Sequence, residues 1–133
     1  MKILLTGATG NIGRFTIAYL LGQGHSVAAM VRDPERALNL LGQNTRVIDY
    51  REGQNRLIQE LENADAVINL AGSPVATRWT KSKKHELKSS RIDLTDKLVN
   101  AIAGCLKPPK VLISASAVGY YGNREDMLLT EFD

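Results

Sequence analysis

Cysteine is almost missing from this chain. The one thiol, Cys105, has no partner for an internal disulfide, and it falls in a helical pattern that suits a small core residue better than a reactive one. Histidine is nearly as scarce: His25 and His85 stand far apart, so no Cys/His spacing for a metal exists. No stretch approaches the ~20 apolar residues of a membrane span. The first apolar run has only four residues and breaks at Thr6-Gly7, which excludes a signal peptide and points to the cytoplasm. Aromatics make up only 5% of the 133 residues against 44% hydrophobic, so the expected core is aliphatic, as in helices packed on a parallel sheet. The formal charge of +3 is too small to argue for nucleic acid. Internal repeats and low-complexity segments are absent. The length is that of one domain, able to bury roughly two thirds of its surface.

What is present is concentrated in the first thirty residues. Lys2-Ile3-Leu4-Leu5 reads as a short strand, followed at once by Thr6-Gly7-Ala8-Thr9-Gly10-Asn11-Ile12-Gly13. Ile12, Ile17, Leu20 and Leu21 then recur near helical spacing, and Val27-Ala28-Ala29-Met30-Val31 is a second apolar run. Strand, glycine turn, helix and strand in this order are the layout of a βαβ nucleotide site. Gly7 is expected to allow the tight turn, Gly10 to let a pyrophosphate approach the backbone, and Gly13 to let the helix pack closely on the sheet. The helix's leading N–H groups and positive dipole end would then face the anion. The spacing is G-x-x-G-x-x-G rather than G-x-G-x-x-G. Any βα turn can use glycine, so the surrounding pattern carries the reading.

Arg32 falls about 20 residues after the glycine turn, where the ribose 2′ position is read. An arginine there favours the 2′-phosphate of NADP, and the alternative is a solvated strand end. Asp33 next door keeps NAD open. Asp33 also reads as a helix N-cap, with Pro34 as first helical residue and Gly42 as the stop. Arg46 to Tyr50 is a third strand, at whose carboxyl end Asp49 could touch adenine or simply end the strand. Gln54 to Leu61 is a short helix. Ala66 to Ile68 is a buried parallel strand, and Asn69, Ala71 and Gly72 fall at its carboxyl end, where ligands bind in open α/β sheets. The small residues there would let a cofactor lie against the backbone. Ser73 to Trp79 is a loop.

Thr80 opens what reads as one long helix to about Leu106. Leu87, Leu94, Leu98, Ile102 and Cys105 form its core stripe. Ile92, Val99 and Ala103 form a second stripe, which points to a partner subunit and a homodimer through residues 80–106. Residues 78–91 carry six basic side chains against Glu86 alone, read first as a solvated face and second as a lure for an anionic substrate or phosphate. Only Trp79 interrupts them, so nucleic acid is disfavoured. Val111 to Ser114 is the fifth strand, followed by Ser116 and a polar tail.

Four blocks resemble the extended short-chain dehydrogenases/reductases, and more closely the epimerase-family proteins of the NAD-dependent epimerase/dehydratase group, some labelled cell-division inhibitors. They are Thr6-Gly7-x-x-Gly10-x-x-Gly13, Asp65 to Gly72, Arg78-Trp79-Thr80 with Ser90-Arg91, and Ser114 to Gly122. The resemblance implies a Rossmann-like doubly wound sheet of about five parallel strands, order 3-2-1-4-5, with helices on both faces. It implies NADP(H), with NAD(H) as the alternative, on Gly7, Thr9, Gly10, Asn11, Ile12 and Gly13, with Arg32 at the 2′-phosphate and Asn69, Ala71 and Gly72 along the cofactor. Ser116 would be the catalytic serine that orients a small-molecule carbonyl or alcohol substrate, with Ser114 as its competitor and Trp79 or Arg91 as a border.

The departures are chemical. The family's acid/base tyrosine carries a lysine four residues on, but Tyr19, Tyr50, Tyr120 and Tyr121 are followed there by Gln23, Gln54, Arg124 and Glu125. Asn11 stands where most extended members have an aromatic. Family members are about twice as long and continue into a substrate-binding half. The expectation is therefore a nucleotide-binding domain over 1–133 that ends before that half. It belongs either to an oxidoreductase or epimerase, or to a non-catalytic regulatory or redox-sensing module.

Overall fold

A computed structural model describes residues 1–117 and 121–132. Its elements alternate as the apolar runs require. β1 (Lys2–Thr6), α1 (Asn11–Gly22), β2 (Ser26–Val31), α2 (Pro34–Leu41) and β3 (Arg46–Asp49) come first. A 3-10 turn (Tyr50–Glu52), α3 (Gln54–Glu62), β4 (Ala66–Asn69), α4 (Lys81–Ser89), α5 (Ile92–Ala103) and β5 (Val111–Ser114) follow. The strands form one parallel sheet in the order β3-β2-β1-β4-β5, the doubly wound order expected.

Period-2 alternation divides the core. Leu4 lies between Ala28 and Val67 in the sheet and faces Leu57, Leu61, Leu98 and Ala101 from α3 and α5. Leu5 lies between Ala29 and Ile68 and faces Ile17 of α1 and Ala37 of α2. Leu4, Leu5, Leu61, Leu98 and Val67 are fully buried, each contributing about 1.5–3 kcal/mol to the folded state. The aliphatic composition thus fills both faces of a central strand.

Local chemistry sets several ends. The Asp33 carboxylate accepts the Arg36 N–H at 3.0 Å, Pro34 opens α2, and Gly42 ends it at φ 71°. Two expectations need correcting. β3 stops at Asp49, because the Asp49 side chain accepts the Arg51 N–H at 2.8 Å and turns the chain into the 3-10 turn. The helix expected over 80–106 is two helices. Thr80 caps α4 through the Lys83 N–H, and α4 ends where the Arg91 N–H bonds Lys88. Ser90 Oγ donates to Leu87 and accepts the Ser73 N–H at 2.9 Å, so the loop after β4 docks on the break. α5 then ends at Ala103 with Gly104 as its cap, short of Leu106, which is almost wholly exposed.

Leu94, Ile102 and Cys105 pack on the core as the first stripe requires, with burial raising the Cys105 thiol pKa. Ile92 and Val99 of the second stripe remain about half exposed, and so do all the β5 side chains. Among the described residues no α-helix or strand follows β5, no helix is long and apolar enough to cross a membrane, and no His/Cys/Asp/Glu cluster could hold a metal. Val118, Gly119 and Tyr120 of the serine block lie outside the described residues.

Candidate functional site

The strand order reverses between β1 and β4, so a crevice lies beyond their carboxyl ends. Two loops meet there. Gly7 leaves β1 at φ 70°, and a Cβ on it would lie 2.5 Å from the Leu70 carbonyl and 2.8 Å from the Ala71 nitrogen. Only a hydrogen fits between them. A Cβ on Gly13 would overlap the Gly7 carbonyl oxygen, so this glycine seats the first helical turn on its own loop rather than on the sheet. Gly10 donates its N–H to Gly7 at 3.1 Å, and a Cβ there would meet nothing within 4 Å except the Gly7 oxygen. Its outer side is open.

Gly10 is also the N-cap of α1 and brings no side-chain acceptor. The first turn closes with Arg14 N–H on the Gly10 carbonyl, while the N–H groups of Asn11, Ile12 and Gly13 find no acceptor among the described residues. Asn11 turns its Oδ1 to Arg14 Nη2 at 2.9 Å, and Ile12 is 70% exposed. Free donors at a positive dipole end, beside a turn with no side chains in the way, make an anion cradle.

Around this cradle the expected residues divide. Arg32 emerges from β2 exposed, and its charge reaches Glu86 on α4. Asp33 is engaged as the cap of α2, and Asp49 is held by Arg51, whose side-chain hydrogen bonds keep its carboxyl below the usual range. Asn69 is 4% exposed, and its side chain points into the protein. Its Oδ1 accepts Thr6 Oγ1 at 2.6 Å, and its Nδ2 donates to Thr95 and Ser114, each at 3.1 Å. Only its backbone therefore faces the loop edge. This network ties β1, β4 and β5 to α5; Thr6 opens the glycine block but its bond to Asn69 is not written there, and Thr95 lies in no motif. It also separates the two serines: Ser114 Oγ accepts from Asn69 Nδ2 and belongs to the network, while Ser116 lies two residues on, past the end of β5. Ala71 is half-buried and Gly72 exposed at the crevice.

A second cluster escaped the sequence altogether. Ser73, 3% exposed, donates to Glu86 and accepts from Lys83 Nζ, both at 2.7 Å. The hydrogen bonds from Ser73 and then Lys83 hold the Glu86 carboxyl below its ordinary range. Part of the basic stretch is thus an internal brace for the loop after β4. Trp79 is 58% exposed, with its indole N–H donated to Val75. A cavity of about 480 Å³ opens at the opposite, amino-terminal edge of the sheet, lined by Lys2, Ser26, Arg46 and Glu60 among others, and none of the expected site residues borders it.

Known proteins resemble this chain in sequence and fold. The model of the NAD dependent epimerase/dehydratase family matches residues 3–133. The chloroplastic epimerase family protein SDR39U1 homolog of Arabidopsis thaliana is 35% identical over 98% of the chain and 38% of its own length. Epimerase family protein YfhF of Bacillus subtilis is also 35% identical, over 98% of the chain and 42% of its own length. The chain thus spans about two fifths of these relatives. The crystal structure of human epimerase family protein SDR39U1 (isoform 2) with NADPH superposes with a TM-score of 0.71 at 30% identity, covering 91% of this chain and 38% of that one. UDP-glucuronic acid 4-epimerase from Bacillus cereus, in complex with UDP-glucuronic acid and NAD, superposes with a TM-score of 0.73 at 26% identity, covering 99% and 45%.

Proposed function

Because the chain belongs to the NAD dependent epimerase/dehydratase family, we propose that it is the coenzyme-binding part of an oxidoreductase or epimerase that acts on a carbonyl or alcohol carbon. The carrying observation is the set of N–H groups on Asn11, Ile12 and Gly13, beside the Gly7–Gly10 turn, that have no acceptor among the described residues. The residues fit a dinucleotide: a Cβ on Gly10 would meet only the Gly7 oxygen, so its open side admits a diphosphate. A bound nicotinamide would supply the hydride chemistry. Ser116 would orient the substrate by its hydroxyl, free of the network that holds Ser114.

NADP(H) is the favoured coenzyme. Arg32 is exposed at the ribose end of β2, and the neighbouring acid that would suit an NAD ribose, Asp33, is committed to capping α2. The human relative's NADPH supports this reading, and the Bacillus cereus enzyme's NAD keeps the alternative. Titration with NADPH and NADH, read by coenzyme fluorescence, tests it. NADPH should bind more tightly, and Arg32→Gln should remove most of the difference. Equal affinities in the unsubstituted chain would refute the role of Arg32.

The second reading is a nucleotide-binding module without catalysis. It is favoured by the absence of a lysine four residues after any tyrosine. Either way, little or no turnover is expected from these residues alone. The half-exposed Ile92 and Val99 support a second copy of the chain on α5.

A further inference from the structure

The cavity at the amino-terminal edge of the sheet takes no part in the chemistry above. It opens where the first residues of three neighbouring strands come together: Lys2 of β1, Ser26 of β2 and Arg46 of β3. Lys2 and Ser26 are register partners, and Arg46 pairs with Ala28 two residues further in. Leu21 and His25 border it from the turn after α1, Asn63 and Ala64 from the turn after α3, and Asn44 from just before β3. At about 480 Å³ it falls within the range of about 300–1,000 Å³ in which small-molecule sites are found. Lys2 and Thr6 are the two ends of β1, roughly 13 Å apart at about 3.3 Å per residue, so the cavity stands a strand's length from the anion cradle.

Its wall is apolar where it is deepest: Val27 is buried, and Leu21, Ala28 and Ala64 are half-buried. The charged groups on the wall differ in what they have left to offer. Glu60 is the one acid among the lining residues, and its carboxylate is already taken by both prongs of Arg46 and by Arg56. No negative charge is therefore left over for a cation. Lys2 is exposed and makes no ion pair among the described residues; its charge reaches Asp65 only through space, while an Asp65 oxygen accepts the Lys2 backbone N–H at 2.7 Å. The side chains of Ser26 and Asn44 make no hydrogen bond among the described residues. An apolar wall with one uncommitted ammonium and two uncommitted hydrogen-bonding groups selects a small anion that carries an apolar body. The body would leave water against the wall, and the charge would stay beside Lys2.

We propose that this cavity is a second ligand site, for a small monocarboxylate with an apolar body, anchored by the Lys2 ammonium and the Ser26 hydroxyl at the edge of the sheet opposite the coenzyme crevice. The assignment stands apart from the coenzyme reading, because the two sites share no residue. Occupancy of one should leave the other open.

The test uses 1-naphthoate as probe and 1-naphthylmethanol as its uncharged counterpart, each titrated into the nitrogen-15-labelled chain and followed by amide chemical shifts. Saturable shifts should centre on Ser26, Val27, Ala28 and Ala64 and leave Asn11, Ile12 and Gly13 unmoved. Excess NADPH should not compete. Lys2→Gln should raise Kd for the carboxylate about threefold to tenfold and leave that of the alcohol nearly unchanged. Ser26→Phe, which places a ring in the cavity from an exposed strand start, should abolish binding of both. Melting temperatures without ligand establish that the variants are folded, and Lys2→Gln with the probe pair decides the matter even where Ser26→Phe does not fold. Absence of any saturable shift, shifts centred elsewhere, competition by NADPH, or a Lys2→Gln variant that keeps the full preference for the carboxylate would overturn the assignment. The coenzyme reading is decided separately, by the nucleotide titration.

Discussion

At the scale of single residues, the same backbone angle means different things at different glycines. Gly7 and Gly24 have φ of 70° and 76°, a region where any Cβ is strained. Around Gly24 the space is open, so Gly24→Ala should cost only the conformational strain, about 1 kcal/mol. At Gly7 the added carbon would strike the Leu70–Ala71 backbone, which cannot step aside as a side chain can. Gly7→Ala should therefore cost clearly more, about 2 kcal/mol or above, and should weaken coenzyme binding as the two loops part. Urea unfolding of the two variants side by side checks this. Equal losses would mean that the β1 and β4 loops are not in contact. The motif marks Gly7 as special in the sequence, but the reason, an approach by a loop some sixty residues away, is visible only once β1 and β4 pair. Asn69 teaches the same lesson: its place at a strand end suggested a ligand contact, while its partners Thr6, Thr95 and Ser114 are set by packing.

At the scale of elements, β3 is held to α3 by charge as well as by its apolar face. Arg46 on β3 and Glu60 on α3 form a two-pronged ion pair, and Arg56 reaches the same carboxylate at 3.0 Å. The Glu60 side chain is only 4% exposed, while that of Arg46 is 53% exposed. The side-chain hydrogen bonds from Arg46 hold the Glu60 carboxyl below its ordinary range. A carboxyl lowered by folding contributes stability that is fully present above its unfolded pKa, about 4.3, and is lost as pH falls through the lower folded value. Melting temperature should therefore drop as the solution is taken below about pH 5, and Glu60→Gln should flatten that part of the profile. At neutral pH the same variant should be less stable by about 1–3 kcal/mol, the solvent around Arg46 moderating the loss. An unchanged acid limb would remove the pair from the balance. The elements themselves were readable where local chemistry defines them, as Asp33-Pro34 and Gly42 do for α2. They were misread where periodicity runs on through a break. The apolar spacing of residues 80–106 continues across Ser90-Arg91, and the interruption comes from Ser73 docking on Ser90, a contact that no helical pattern encodes.

At the scale of the whole molecule, the doubly wound sheet buries both faces of β1 and leaves its far side bare. Val111, Leu112 and Ile113 of β5 are 45%, 39% and 54% exposed, and α5 adds Ile92 and Val99 at 48% and 46%. Ile92 and Val99 are seven residues apart and so share one helical face, whereas Leu98 and Ala101 on the other face are fully buried. An apolar stripe beyond what the core needs gains by excluding water against a second surface. Two copies meeting through α5 would bring the stripes together without disturbing the crevice at the β1 and β4 ends, so coenzyme binding and association should be separable. Sedimentation velocity should show a concentration-dependent dimer. Val99→Glu should shift it towards monomer, because it places like charges opposite each other across a two-fold contact. Since position 99 is already half in solvent, the substitution should change the unfolding free energy of the monomer by no more than about 0.5 kcal/mol and leave the NADPH affinity intact. A chain that sediments as a monomer at every concentration, with or without Val99→Glu, would show that the α5 stripe serves some surface other than its own copy.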